Sequence, residues 1–235
     1  MDELSRRFAL WLPDFGDLTA LAVAAVALVL VGSHTSWPLL RNVVTIAHEG
    51  GHAAMALLSG RKLNGIRLHS DTSGLTVSTG RATGLGMVVT LFAGYPAVSL
   101  LGLAGAWLVV IDRTQTMLWI TVGLLVAMLL ALRNVHGVLS VLVTAALVFV
   151  VSWWAAPAVQ ALCCALLSWF LLFGGIRPLA ELGGKRRRGG AVHSDADQLA
   201  HLTRVPAVVW LALWFVIGLA AVGIGGRWLL LLPQV

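Results

Sequence analysis

Residues 48–52 of the chain read His48-Glu49-Gly50-Gly51-His52, a pattern that can carry metal-dependent hydrolysis. On a helix, two histidines four residues apart share one face, so both imidazoles can reach a single metal ion. Glu49 would then lie beside a metal-bound water and could accept its proton without binding the ion itself. The two glycines weaken a helix, but they permit either close approach of another backbone to the metal or close packing of a neighbouring helix.

The composition is that of an integral membrane protein. Of 235 residues, 59% are hydrophobic and 11% are charged, and the mean hydropathy is +0.91, whereas soluble domains carry about 25% charged residues. These values exclude an ordinary soluble domain, a disordered chain and a disulfide-stabilised secreted module. The two cysteines, Cys163 and Cys164, are adjacent and have neither disulfide nor metal-ligand spacing. The basic residues lie between apolar segments, which argues against a nucleic-acid partner.

Seven apolar segments have about the length that a helix needs to cross a bilayer. They cover residues 17–33, 38–58, 84–110, 116–132, 137–155, 157–176 and 205–226. Because none alternates strictly between apolar and polar residues, we predict an all-α polytopic membrane protein with about six or seven transmembrane helices. The first segment lacks an Ala-x-Ala cleavage site after its apolar core and is interpreted as a retained anchor. We expect a single membrane-embedded domain over residues 1–235.

Two polar stretches interrupt the predicted spans. Turn-forming residues 70–73 separate two partly alternating runs, so we predict a small β-hairpin over residues 63–79. Residues 177–204 contain glycines on both sides of a Lys-Arg block, which predicts a mobile, solvated loop. Both stretches are expected on the same side of the membrane.

The distribution of basic residues predicts the orientation. A cytoplasmic N-terminus puts 13 of the 16 basic residues on the inside, Arg6 and Arg7 among them, and leaves only Arg41, Arg113 and Arg227 outside. Inner loops of membrane proteins are enriched in Lys and Arg. We therefore predict that the N-terminus, the hairpin and the 177–204 loop all face the cytoplasm.

A hydrolytic zinc site commonly has a third protein ligand, and the chain has few carboxylates for that position. The first acidic residue after the motif is Asp71, which falls in a predicted turn where aspartate is common for local reasons. Asp112 is predicted on the opposite side of the membrane. The residues alone leave Glu181, Asp195 and Asp197 as alternatives.

The motif helix, the predicted hairpin and the Gly94-Tyr95-Pro96 sequence in the next apolar segment together resemble the site-2 protease family of intramembrane zinc metalloproteases. The resemblance covers residues 38–110 well and the rest of the chain loosely. It implies an endopeptidase with zinc (Zn²⁺) as cofactor. The substrate would be a membrane protein, cleaved at a peptide bond in or near one of its transmembrane segments.

By this resemblance, His48 and His52 are zinc ligands and Glu49 is the catalytic base that activates a zinc-bound water. The family's third ligand usually stands in an Asp-Gly dipeptide, which this chain lacks. Compact bacterial members have a Ser-Asp-Ala sequence before the last span, which matches residues 194–196 and implies that Asp195 is the third ligand. The same resemblance implies that the protein lies in a bacterial plasma membrane. Because Ser194 with Asp197 also matches a capping box, ordinary helix initiation is the alternative interpretation.

The resemblance also implies a substrate-binding role for Asn134, because the family has an asparagine near its site. The alternative is helix capping, since Arg, Asn and Gly residues are common where a helix ends. An exposed edge of the predicted hairpin could pair with unwound substrate. Two functions of other classes remain as alternatives: a metal-ion transporter, and a non-catalytic membrane scaffold that retains the His/Glu motif.

Overall fold

The computed structural model describes residues 15–190 and 194–231, and it confirms an all-α polytopic membrane fold with a small β-hairpin. Five helices are each long and apolar enough to cross a membrane, and a sixth span is obtained if the first two helices are counted as one broken crossing. Six is the lower of the two predicted numbers. The elements in chain order are α1 (Phe15–Gly32), α2 (Trp37–Leu58), β1 (Lys62–Leu68), β2 (Gly74–Thr79), α3 (Leu85–Val110), α4 (Thr114–Ala131), α5 (Val135–Trp154), α6 (Pro157–Arg187), α7 (Asp195–Thr203) and α8 (Ala207–Leu231).

Helices α1 and α2 form a pair that is bent by 98° at a short break. In the break, the Ser33 hydroxyl accepts hydrogen bonds from the backbone N–H groups of Thr35 and Ser36. Arg177 of α6 donates to the carbonyls of Val31 and Ser33 at the C-terminal end of α1. Carbonyls at a helix end lack partners within the helix, so a guanidinium from a neighbouring helix stabilises the bend.

Helices α3 and α6 pack antiparallel at the centre of the bundle. A Cβ added to Gly102 would lie 2.8 Å from the backbone nitrogen of Leu172, and one added to Gly105 would lie 2.6 Å from the Ser168 hydroxyl. Small residues at these contacts let the two backbones approach closely, which is the usual way in which membrane helices associate. Because α3 leads away from the hairpin, the N-terminal end of α6 lies at the end of the bundle opposite the hairpin.

The direction of α1 contradicts one part of the predicted topology. Leu18, near the start of α1, lines the same groove as Leu162, near the start of α6, whereas the other end of α1 reaches Arg177. The start of α1 and the hairpin therefore lie at opposite ends of the bundle rather than on the same side. The bend permits this arrangement, since α1 and α2 can be counted as one broken crossing or as a re-entrant loop, where two crossings were predicted. Arg6 and Arg7 lie outside the described residues.

Pro96 lies inside α3, where it has no N–H to donate to the carbonyl of Phe92 one turn earlier. The indole N–H of Trp214 in α8 donates to that carbonyl instead, at 3.1 Å. The rings of Tyr95 and Trp214 also contact each other, with centroids 4.6 Å apart. Without Trp214, the Phe92 carbonyl would lack a hydrogen-bond partner within the membrane, so this bond both satisfies the carbonyl and holds α8 against α3.

The hairpin forms with nearly the predicted limits, and β1 pairs antiparallel with β2. The other edge of β1 is covered by the link between α4 and α5. There the Arg133 N–H donates to the Ile66 carbonyl, and the Asn134 side chain accepts from the Leu68 N–H and donates to the Leu68 carbonyl. Asn134 is the N-cap residue of α5, but its side chain makes no cap hydrogen bond and binds the strand instead.

The segment predicted as a mobile loop over residues 177–204 is mostly helical in the part that the structure describes. Helix α6 continues to Arg187, and α7 follows in the same segment. Leu179 and Leu182 of the α6 extension are buried together with Leu199 of α7. Composition alone predicts a loop because glycines have low helix propensity. Burial of the apolar face outweighs that low propensity, so the segment is helical.

Candidate metal centre

The structure brings together the side chains of His48, His52 and Asp195, which come from two distant parts of the chain. The two histidines are one turn apart on α2, and their Nε2 atoms are 3.0 Å apart. Asp195, the first residue of α7, places Oδ2 3.2 Å from Nε2 of His48 and 3.4 Å from Nε2 of His52. Three ligand-type atoms therefore form a nearly equilateral triangle.

This triangle fits a metal ion. Ligand atoms about 2.0–2.1 Å from a tetrahedral zinc ion lie roughly 3.3 Å from one another, which is close to the three separations in the structure. Nδ1 of His52 is 2.7 Å from the Thr90 carbonyl oxygen. Since a carbonyl only accepts hydrogen bonds, Nδ1 carries the proton and the Nε2 lone pair is free for a metal. Two imidazole nitrogens and one carboxylate oxygen are also a known donor set of hydrolytic zinc sites.

Helix α3 forms the wall behind the histidines. A Cβ on Gly94 would overlap the His52 ring, so the absence of a side chain lets α3 pass this close to the centre. Gly51 of the motif faces the same helix, where a Cβ would lie 3.0 Å from the Ala93 carbonyl oxygen, whereas nothing lies within 4 Å of one on Gly50. Close helix packing is therefore the role of Gly51, and the close backbone approach to the centre is made by Gly94.

Glu49 is 4% exposed and lines the same cavity as the three ligand-type side chains. The Thr76 hydroxyl donates a hydrogen bond to Oε2 of Glu49 at 2.6 Å. On another side of the carboxylate, a Cβ on Gly74 would lie 2.6 Å from the Glu49 carboxyl carbon. Both neighbours belong to β2, so the hairpin surrounds the proposed base. Sequence reasoning missed them, because a threonine and a glycine are ordinary residues in a hairpin.

Asp195 reaches the centre because α7 folds back towards the bundle after α6. The Ser194 hydroxyl accepts from the Asp197 N–H, and the Asp197 carboxylate accepts from the Ser194 N–H, which completes a capping box. The capping interpretation and the placement of Asp195 in the centre are therefore compatible. Burial raises the pKa of the Asp195 carboxyl, but the adjacent His48 and His52 rings outweigh burial and hold that pKa well below its usual value.

The other two candidate carboxylates are engaged elsewhere. Glu181 pairs with Arg41 and with Arg177, each at 3.1 Å. Asp197 pairs with Arg186. Partial burial raises the pKa of Asp197, but the ion pair and the hydrogen bonds with Ser194 outweigh burial and hold that pKa below its usual value. Of the three alternatives that the residues leave open, Asp195 is the one that the described structure places beside the histidines.

A cavity of about 340 Å³ opens onto the centre. Its size is within the range of ligand pockets, and its walls come from α2, α3, α6, α7 and the β2 strand. Arg41 and Thr45 extend the α2 wall beyond His48. Asn134 is not among the lining residues, since its amide is bonded to Leu68, and its substrate-binding role stays a prediction.

A centre of this kind inside a bundle of membrane-spanning helices places the chain in the class of membrane metallopeptidases. A family model described as Peptidase M50B-like matches residues 21–225. The chain therefore belongs to this family, which is that of the site-2 proteases, and the predicted family is confirmed. Neither the curated proteins nor the solved structures include a match to the chain.

Proposed function

We propose that the protein is a zinc endopeptidase that hydrolyses a peptide bond in or near a transmembrane segment of a membrane-protein substrate. The observation that carries this proposal is the triangle of donor atoms from His48, His52 and Asp195, with Glu49 buried in the same cavity. Family membership supports the metallopeptidase class, and the donor set supports zinc within that class.

The chemistry assigns one role to each group. His48, His52 and Asp195 would hold the ion, which when bound would supply the Lewis acidity that polarises a water and the peptide carbonyl. Glu49 accepts a proton from the attacking water as the water oxygen bonds to the carbonyl carbon. Glu49 then returns that proton to the leaving nitrogen as the C–N bond breaks, so that a new carboxyl group and a new amine are formed.

The substrate must unwind before cleavage, because a hydrogen-bonded helix does not offer its carbonyls to a nucleophile. Ile66 and Leu68 of β1 direct their backbone groups to the α4–α5 link. In an antiparallel pair the opposite residues, Thr76 and Gly74, then direct theirs to the free edge of β2. Since this edge borders the cavity, an extended substrate segment could add to β2 beside the centre.

Backbone N-methylation of a cleaved reporter tests this strand pairing. Methyl groups are placed at least two residues from the scissile bond, so that the reacting amide is unchanged. We expect methylation to lower the cleavage rate at every second substrate position, because the N–H group of each strand residue points to one side only. Cleavage that is insensitive to methylation at every position would exclude pairing with β2.

We also propose that the hairpin end of the bundle faces the cytoplasm of a bacterial cell. Exposed basic side chains gather at this end, namely Lys62, Arg67, Arg81, Arg187 and Arg188. The positive-inside rule favours a cytoplasmic location for such a cluster. The cavity would then accept substrates from the inner half of the plasma membrane.

The catalytic part of the proposal is tested by Glu49→Gln in purified protein reconstituted with a panel of single-span reporter proteins. Glutamine keeps the shape of the side chain but cannot accept a proton, so we expect at least a roughly 100-fold loss of cleavage with unchanged zinc content. Asp112→Asn makes the same acid-to-amide change in the α3–α4 link, away from the cavity, and should cleave like the wild type.

Three results would contradict the proposed function or the role of Glu49 in it. Wild-type protein that moves metal ions across vesicles and cleaves no reporter would be a transporter. Wild-type protein that binds zinc, moves no ions and cleaves no reporter would be a scaffold. Glu49→Gln protein that cleaves at the wild-type rate would exclude Glu49 as the base.

A further inference from the structure

We propose that Thr76 is a positioning residue for Glu49, an inference that rests on the proposed function. Its hydroxyl oxygen lies 2.6 Å from Oε2 of the Glu49 carboxylate and 3.2 Å from the backbone carbonyl oxygen of the same residue. Within the described part of the chain, Thr76 supplies the hydrogen bond that the Glu49 carboxylate receives. A neutral donor thus fixes one oxygen of the base.

The base needs such a contact because a glutamate side chain has three rotatable bonds, whose freedom must be restricted for proton transfer. Helix α2 alone fixes only the start of this side chain. Gly74 limits the carboxylate from a second direction, since a Cβ there would lie 2.5 Å from Cγ and 2.6 Å from the carboxyl carbon of Glu49. Thr76 and Gly74 together restrict the orientation of the carboxylate.

The strand that carries Thr76 is itself fixed to the bundle. The Thr45 hydroxyl of α2 donates to the Thr72 carbonyl in the hairpin turn at 2.8 Å. At the other end of β2, Arg61 donates to the Ser78 hydroxyl at 3.0 Å. These contacts hold the hydroxyl of Thr76 at a set distance from α2, so the hairpin determines where the base points.

The inference is tested with Thr76→Val and Thr76→Ser in the reconstituted cleavage assay. Valine has the shape of threonine without the hydroxyl, and we expect kcat to fall about 10- to 100-fold with KM and zinc content unchanged. Serine keeps the hydroxyl, and we expect kcat within about threefold of the wild type. A purely structural role predicts the opposite order, because valine is the better strand former and serine the poorer one.

Thr79→Val is the matched control, since Thr79 lies on the opposite face of β2 and its hydroxyl donates to Asn64. It should cleave like the wild type. Gly74→Ala is a second probe that keeps the Thr76 hydroxyl and forces a methyl group against Glu49. It should also lower kcat with zinc retained. If Thr76→Val does not fold, Thr76→Ala replaces it, because alanine also lacks the hydroxyl.

The outcomes separate this inference from the proposed function. If the wild type cleaves and Thr76→Val has the same kcat, the positioning role is overturned and the endopeptidase proposal stands. Loss of activity in both Thr76→Val and Thr76→Ser also overturns it, because the hydroxyl would then not be what matters. Absence of cleavage by the wild type would refute the proposed function itself.

Discussion

Three of the four functional groups in the centre are oriented by a contact outside it. The Thr90 carbonyl sets the tautomer of His52, the Thr76 hydroxyl holds Glu49, and the cap at Ser194 starts the helix that delivers Asp195. Outer contacts of this kind typically alter metal affinity or activity about 10- to 100-fold when they are lost. The precision of the centre therefore depends on residues that have no metal-binding signature of their own.

We expect Asp195→Asn to lower zinc affinity at least about tenfold, because a neutral amide oxygen is a weaker ligand than a carboxylate. Competition with a chelator, followed by elemental analysis of purified protein, measures the change. Glu181→Gln is the matched control and should retain zinc, since Glu181 pairs with arginines instead. Equal zinc affinity in Asp195→Asn and the wild type would remove Asp195 from the ligand set.

Among the elements, α3 contributes most to the position of the centre. It supplies the Thr90 carbonyl, passes behind the histidines at Gly94 and packs along α6 through small residues. Pro96 then leaves the Phe92 carbonyl free for Trp214 of α8. One helix thus joins the motif helix to the C-terminal part of the bundle.

Trp214→Phe should lower the free energy of unfolding by about 1–3 kcal/mol, because it leaves the buried Phe92 carbonyl without a donor. Pro96→Ala returns an N–H to that carbonyl, so the loss caused by Trp214→Phe should shrink in the Pro96→Ala background. Unfolding in detergent of both single variants and the double variant measures this coupling.

Trp210→Phe serves as the control in the same experiment. Its indole nitrogen is buried without a hydrogen-bond partner in the described structure, while its ring also contacts Phe92, with centroids 5.9 Å apart. It should cost less stability than Trp214→Phe. If Trp214→Phe lowers the free energy of unfolding equally with and without Pro96, the hydrogen bond to the Phe92 carbonyl is not the reason why Trp214 stabilises the protein.

Most of the elements could be predicted because their signals are local. The apolar run over residues 84–110 matches α3 (Leu85–Val110), and the turn residues between alternating runs locate the hairpin. The break after α1 agrees with the predicted segments 17–33 and 38–58, but its sharp bend could not be predicted, since Arg177 of a helix far along the chain contributes to it. The capping box at Ser194 indicated the start of α7, but its packing was not predictable, because buried contacts of Leu199 override a polar, glycine-containing context.

The same distinction applies to the candidate site. The i, i+4 spacing of His48 and His52 is visible in the sequence, and so is Glu49 beside them. The residues alone left the third carboxylate open, and only a family resemblance favoured Asp195. Thr76 could not be found at all, because its role follows from the packing of β2 against α2.

For the molecule as a whole, the bent α1–α2 pair changes the topology. The start of α1 and the hairpin lie at opposite ends of the bundle, as they would if α1 and α2 form one broken crossing. The centre then lies between the motif helix, the hairpin and α7, with α3 behind it. The two halves of the chain are both needed to form it.

Cysteine labelling tests this topology in a background with Cys163 and Cys164 replaced by alanine. Single cysteines are placed at Phe15, the first residue of α1, at Asp112 in the α3–α4 link and at Asp71 in the hairpin turn. A membrane-impermeant reagent should label positions 15 and 112 from one side and position 71 from the other. Labelling of positions 15 and 71 from the same side would support two full crossings instead.

The late position of Asp195 has a consequence for biosynthesis. Helix α2 ends at Leu58 and α7 begins at Asp195, so a ribosome completes the histidine-bearing helix long before it reaches α7. A half-made copy in the bilayer therefore carries the imidazoles without the carboxylate that completes their triangle. The three donor atoms can therefore come together only after the ribosome has passed α7, which ties assembly of the centre to the synthesis of that short helix.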